Sequence, residues 1–319
     1  MTEKAEKTAV VAGHICLDVI PAMRCGAGDG LLSPGALVEC GPAVLSTGGA
    51  VSNVGLALDR LGVPARLAGR VGDDLFGRGI LDLLRARGEG LAAGMRPVAG
   101  AASSYTVVIS PHGRDRTFLH CPGANDEFGS DDVPDSTLAG ADLLHFGYPP
   151  IMKRMFESGG AECAKLLARA GEAGLTTSLD MSRPDPDSES GRADWRAWMR
   201  NVLPRVDIFL PSVEELVFML DRAKHDELES RAGGLLAHVD GETLAALSGQ
   251  LLAMGAAVAA VKLGDRGLYL RTTSSPERLA AAGSCAPDPS RWLDRELHVP
   301  CFSVEVAGTT GSGDCTIAG

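Results

Sequence analysis

Residues 308–319 read GTTGSGDCTIAG, a string that joins the ingredients of an anion site to a carboxylate. Gly311 and Gly313 let the backbone turn its amides outward around Ser312. The small and apolar residues that follow suit a helix, whose N-terminus is the positive end of a dipole. Asp314, fixed in that turn, is placed to act as a base toward a group that reacts with a bound anion. An isolated GSGD also fits an aspartate that only complements the dipole, so the rest of the chain has to decide. It contains no GxxxxGK[ST], GxGxxG, HExxH, GxSxG or HRD loop, which removes the commoner phosphate, metal and nucleophile motifs.

A loop of this kind needs a strand before it and a helix behind it. FSVEV, from Phe302, predicts the strand; the helix is expected to run past Gly319, so a C-terminal segment is expected to be missing from the sequence. Upstream, Val10–Ala12 predict a first strand, and the Gly- and Pro-punctuated stretch from Ile15 to Thr47 predicts small hairpins. Helical spacing from Ser52 puts Val54, Leu58 and Leu61 on one stripe, ended by Gly62 and Pro64; a strand at Ala65–Val71 and a helix at Phe76–Arg87 follow. Tyr105–Ile109 and Thr117–His120 flank the polar turn SPHGRD as a hairpin. Strands at Leu143–His145, Thr177–Leu179, Ile208–Leu210 and Val258–Lys262 then alternate with helices at Ala161–Ala173, Glu214–Leu220 and Thr243–Met254. Such alternation predicts a doubly wound, mostly parallel α/β sheet with helices on both faces. The Ser-, Pro- and Ala-rich stretch 272–291 reads as an exposed loop.

Composition narrows the function classes. At 319 residues one large α/β domain with an appendage is sufficient. A formal net charge of -11 argues against a nucleic-acid partner, and the few aromatics form no platform for stacked bases. The eight cysteines include no CxxC pair, and the seven histidines share no metal-like spacing. No stretch approaches the roughly 18 apolar residues of a membrane span. A cytoplasmic protein with reduced thiols and no membrane partner is expected.

Two strings now belong together. STGGAVSNVGLALDRLGVPARLAGRVGDDLFG, Ser46–Gly77, precedes GTTGSGD in the same chain, with alternating elements between them. In this the sequence resembles the ribokinase (pfkB) family of carbohydrate kinases over essentially its whole length. The resemblance implies a ribokinase-like fold in one domain, 1–319, with a small β lid from segments at about 15–47 and 97–125. It implies ATP-dependent phosphorylation of a primary hydroxyl of a small sugar or related polyol, with magnesium. Asp314 matches the base, and Gly311, Ser312 and Gly313 match the anion hole over the transferred phosphates. Asp18, in GHICLD, matches an aspartate that holds sugar hydroxyls, although by itself it reads better as a loop cap. Gly48, Gly49 and Asn53 match a GGxxxN element in which glycine permits close approach and Asn supplies donor and acceptor. Lys262, Gly264 and Gly267, in VKLGDRG, resemble the strand and turn that border the nucleotide. Ser212 and Glu215, in PSVEEL, stand where relatives have NxxE, whose glutamate helps organise magnesium through water.

Two positions depart from the family pattern. Ser212 replaces the Asn of NxxE, which shortens its reach, and Gly308 replaces an aspartate of the monovalent-cation loop, which argues against potassium activation. A nucleoside kinase and a sugar-binding regulatory protein with a weakened site are the rival readings. Lids of this kind often pair between subunits, so a homodimer through the lid is expected.

Overall fold

Alternation along the first strand sets the layering. In β1 (Ala9–Gly13), Val10 and Ala12 belong to one apolar cluster and Ala9 and Val11 to another, as period-two side chains must when both faces of a sheet are covered. The computed structural model describes residues 7–23, 33–35, 37–111, 116–305 and 311–319. After β1 come β2 (Cys16–Pro21), β3 (Ala43–Gly48), α1 (Ala50–Arg60), β4 (Ala65–Gly72), α2 (Leu75–Arg85), β5 (Met95–Val98), β6 (Tyr105–Ile109), β7 (Thr117–Cys121) and β8 (Leu143–Gly147). Then follow α3 (Ala161–Glu172), β9 (Thr176–Asp180), α4 (Trp195–Val202), β10 (Ile208–Phe209), α5 (Val213–Leu220), α6 (Arg222–Glu229), α7 (Gly241–Ala253), β11 (Val258–Lys262), β12 (Leu268–Thr272), β13 (Glu296–Val299) and α8 (Ser312–Ala318), with shorter helical turns between them.

The large sheet has nine strands in the order β13-β12-β11-β10-β9-β8-β1-β4-β5. Pairing is parallel from β11 to β5 and antiparallel at β11–β12 and β12–β13. Val54 of α1, Ile80 of α2 and Ile317 of α8 pack on one face. Leu166 of α3, Trp198 of α4, Leu216 of α5 and Leu251 of α7 pack on the other. This is the doubly wound architecture that the alternating pattern predicts. Helix α1 shows why such elements are legible locally: Val51, Val54 and Leu58 make its buried stripe, and Gly62, at φ 77°, stops it.

A second sheet, in the order β3-β2-β6-β7, stands apart from the first. The chain enters it at a bend after β1, which Asn125 clamps: the Ile15 amide donates to Asn125 Oδ1 at 3.3 Å and Asn125 Nδ2 donates to the Ile15 carbonyl at 2.9 Å. The lid strands come from Cys16–Gly48 and Tyr105–Cys121. The expected boundary near 97 falls instead on β5, which belongs to the large sheet because it pairs with β4.

Two other expectations are corrected. Of FSVEV, predicted as a strand, residues 302–305 lie outside regular structure and are exposed, and the fifth lies outside the described residues; β13 pairs with β12 at the described edge of the sheet. The stretch 272–291 is not a plain exposed loop. Ser275 caps a short helix, Pro276–Ala280; Leu279 on it and Ala282 just after it are buried with Ala257 and Val258, and Arg278 pairs with Asp207 at 2.8 Å. Gly308 and most of the SPHGRD turn lie outside the described residues.

Candidate active site

The parallel strands deliver polar side chains to one edge of the large sheet. His14 follows β1, Tyr148 follows β8, Asp180 ends β9, Ser212 follows β10 and Lys262 ends β11. This is the carboxyl edge, where open α/β sheets hold their ligands. Helix α8 brings its N-terminus to the same place. Its N-cap, Gly311, takes φ 71°, a left-handed conformation that glycine adopts at little cost, and a Cβ there would lie 3.5 Å from Asn53 Cγ.

Asp314 sits in the first turn of α8, only 3% exposed, with its carboxylate held from two sides. Asn53 Nδ2, from the first turn of α1, donates to Oδ2 at 2.9 Å. The Tyr148 hydroxyl lies 2.8 Å from both carboxylate oxygens.

A buried cation stands beside this group. Lys262 Nζ pairs with Asp180 Oδ1 at 2.6 Å, and a Cβ on Gly313 would lie 3.7 Å from that ammonium. Burial pulls the lysine down, but Asp180, Glu215 and Asp314 together hold it above its ordinary value. Burial pushes Asp180 up, to about 8, against the pull of Lys262 and with help from Glu215 and Asp314. The lysine therefore keeps its charge and the carboxylate is the member that gains proton affinity. Asp180 Oδ2 is buried without a hydrogen-bond partner. Below the pair, burial first and Lys262 second drive His145 down to about 3, so it stays a neutral ring bonded to Ser178 Oγ at 2.9 Å.

Ser212 bridges to Lys262 across the β10–β11 pairing and forms a capping box with Glu215. The Ser212 amide donates to Glu215 Oε2 at 2.7 Å, and the Glu215 amide donates to Ser212 Oγ at 3.2 Å. One oxygen of Glu215 is thus committed to the helix cap.

The lid contributes the other wall. Asp18 on β2 lies against Gly48 of β3, where any Cβ would run into its carboxylate. Burial raises the Asp18 carboxyl, while Cys16 and Thr106 oppose the shift through hydrogen bonds. Gly49, at φ 87°, lets the start of α1 pass over His14, whose Nδ1 would lie 2.5 Å from a Cβ there. His14 Nε2 and His120 Nε2 approach to 3.3 Å, and His120 Nδ1 meets Thr106 Oγ1 at 3.0 Å. The His14 ring lies 6.0 Å from that of Tyr148. A chain of contacts therefore runs from Asp18 through Gly48, Gly49, His14 and Tyr148 to Asp314.

Gly264 and Gly267 do not join this cluster. They shape the β11–β12 turn, where the Leu263 amide donates to the Gly267 carbonyl at 2.8 Å, and their neighbours are Leu236 and residues 299–301. Reading the sequence alone leaves out Tyr148, Asp180, His14 and His120. The signal for the first three was present: each is a polar residue at the end of a buried strand, the position that an α/β sheet turns toward its ligand.

The pfkB family carbohydrate kinase description fits residues 7–319. A fructokinase from Vibrio alginolyticus is 26% identical over 310 residues, covering 97% of this chain and 81% of that protein. An uncharacterized sugar kinase from Archaeoglobus fulgidus is 24% identical over 265 residues, 83% of this chain and 84% of that one. With probable fructokinase-4 of Arabidopsis thaliana, 25% identical over 225 residues, the match takes in 70% of this chain and spans 65% of that protein's length. Among solved structures, ribokinase from Giardia lamblia superimposes with a TM-score of 0.69 at 18% identity, over 98% of this chain and 81% of that one. Fructokinase with bound ATP from Xylella fastidiosa gives 0.66 at 19% identity, over 98% and 80%. These structural likenesses show a ribokinase-like fold. With a family match over nearly its whole length, the chain belongs to the pfkB family of carbohydrate kinases, phosphotransferases whose acceptor is an alcohol group.

Proposed function

We propose that this chain transfers the γ-phosphoryl group of ATP to a primary hydroxyl of a small sugar or related polyol, with Asp314 as the base. The observation that carries the reading is the Asp314 carboxylate, held in the first turn of α8 by Asn53 and Tyr148, with the Lys262 ammonium beside Gly313. In the reaction the hydroxyl proton passes to Asp314 and the alcohol oxygen bonds to the γ-phosphorus. The bond from that phosphorus to the β–γ bridging oxygen breaks and ADP leaves. Such a transfer depends on positioning and electrostatic stabilisation more than on a strong base. Gly311, Ser312 and Gly313 supply helix-start amides and Lys262 a full positive charge for that purpose.

Magnesium bound with the nucleotide neutralises polyphosphate charge. Glu215, and Asp180 with its unpartnered oxygen, fit a hold on it through water; among the described residues no three His, Cys, Asp or Glu side chains are grouped to grip a metal directly. Asp18 suits the sugar side, because a partly desolvated carboxylate accepts hydroxyl donors and Gly48 leaves it room.

The names of the relatives make D-fructose the first acceptor to try. In a panel of D-fructose, D-ribose and adenosine, followed by thermal shift with and without a non-hydrolysable ATP analogue and by ADP release, a sugar is expected to raise Tm and drive turnover. Release with adenosine alone would replace the sugar by a nucleoside. Binding without release for every acceptor would make the chain a binding protein.

The lid also supports a homodimer. Val44 and Leu45 on β3 and Phe118 and Leu119 on β7 are exposed apolar residues on its two edge strands, the kind of surface that a partner covers. Light scattering is expected to give about twice 33.1 kDa, and a clean monomer would remove this proposal. Among the described residues no helix is long and apolar enough to cross a membrane. A cytosolic setting suits both the substrate ATP and the unpaired described cysteines.

A further inference from the structure

We infer that Tyr148 is a positioning residue for Asp314: its hydroxyl straddles both carboxylate oxygens, fixes the plane of the group and leaves one outer lone pair of Oδ1 for the acceptor's proton. The inference rests on Asp314 being the base. A carboxylate presents about four lone-pair sites. Tyr148, at 2.8 Å from each oxygen, occupies the space between the two inner sites. Asn53 takes an outer site of Oδ2 at 2.9 Å. The outer site of Oδ1 is what remains.

The backbone at Tyr148 is unusual in a way that serves this geometry. Its φ of 72° and ψ of 42° put a bulky aromatic residue in the left-handed region, directly before Pro149, a combination that costs free energy and persists only where its surroundings enforce it. The β8–β9 pairing that sets Gly147 opposite Asp180 carries the chain to this point, and the Ile151 amide closes the turn on the Tyr148 carbonyl at 3.1 Å. The left-handed turn sends the ring across the strand ends to Asp314. Burial, and next the charge of Asp314, hold the phenol well above its ordinary value, so it remains a donor. The other charged or titratable groups around the pair are Lys262, Asp180 and Glu215 from β11, β9 and α5. His14 lies behind the Tyr148 ring, and burial keeps it neutral.

The test compares wild type, Y148F and D314N in phosphoryl transfer from MgATP to D-fructose. Far-UV circular dichroism checks that the variants fold. Y148F is expected to lose roughly 10- to 100-fold in kcat with KM for fructose little changed. A role in packing alone would lower stability without separating kcat from KM. As an acceptor-independent measurement, 13C-carboxyl aspartate labelling follows the resonance that disappears in D314N, whose chemical shift should change in Y148F as the donor is lost. If Y148F does not fold, the wild-type chain with its three tyrosines fluorinated offers a stronger donor and should displace the same resonance. An undisplaced resonance with D314N inactive overturns the positioning role alone. Full turnover by D314N overturns the reading of Asp314 on which it rests.

Discussion

Asp314→Asn is expected to lower kcat for phosphoryl transfer to D-fructose by roughly 10²–10⁴-fold, the range typical of a positioned general base, while KM for both substrates stays within a few-fold. The substitution is close to isosteric. The asparagine oxygen still accepts from Tyr148 or Asn53, now 2.8 and 2.9 Å away, and the first turn of α8 loses only the interaction of a carboxylate with the helix dipole. What disappears is the site that, in the proposed reaction, takes the proton as the alcohol oxygen bonds to phosphorus. A loss confined to kcat means an interaction made in the transition state rather than in substrate binding. Steady-state ADP release reads both parameters, and wild-type kcat in this variant would remove Asp314 from the reaction.

Lys262→Met is expected to have the second-largest effect, and on two properties at once. It removes the ammonium beside Gly313 and leaves Asp180 buried without its 2.6 Å partner. Breaking one side of a buried ion pair costs roughly 3–5 kcal/mol of stability, and loss of a fixed positive charge at the phosphates lowers kcat by about 10²–10³-fold. The stability loss has a predicted pH dependence. Burial already raises Asp180 to about 8 in the folded chain, and removing Lys262 raises it further, whereas the unfolded chain releases that proton near the ordinary ~3.9. Stability is therefore retained at low pH and falls as pH rises above that value, since the folded variant must keep a proton that the unfolded chain gives up. Urea unfolding at pH 5 and pH 8 reads the difference. The double variant Lys262→Met with Asp180→Asn is expected to recover most of the stability and none of the turnover. Recovered turnover would show that Lys262 serves only to neutralise Asp180.

The two substitutions act on groups of different legibility. Asp314 announces itself locally, because glycines, a carboxylate and a helix start lie within a few residues of one another. Asp180 does not. In SLDMSRP it is one aspartate after a run of Thr, Ser and Leu, and its meaning arises when β9 and β11 end at the same edge of the sheet with β10 between them. Tyr148 is similar: FGYPP reads as a strand followed by a turn, and only the left-handed backbone and the arrival of α8 put the phenol on Asp314. Asp18 lies between these extremes. Its position next to Gly48 follows from the antiparallel register of β2 with β3, in which Cys16 faces Gly48 and Asp18 faces Ser46.

The misread stretches fail for the same kind of reason. FSVEV has the alternation of a strand, yet a strand exists only where a neighbour offers its ladder, and the described edge of the sheet is taken by β13. The Ser- and Pro-rich segment after Thr272 looks unstructured by composition, yet its few apolar residues find Ala257 and Val258 across the fold.

From residue order alone came the alternation of strands and helices, the two-faced sheet and the glycine-rich turn that carries Asp314. These are properties of neighbours along the chain, set by side-chain periodicity and backbone freedom. The folded arrangement alone decided which strand-end side chains meet: Tyr148 on Asp314, Lys262 on Asp180, and the two histidines at the lid. Those contacts join residues far apart in sequence, and no local period encodes a distance that depends on strand order.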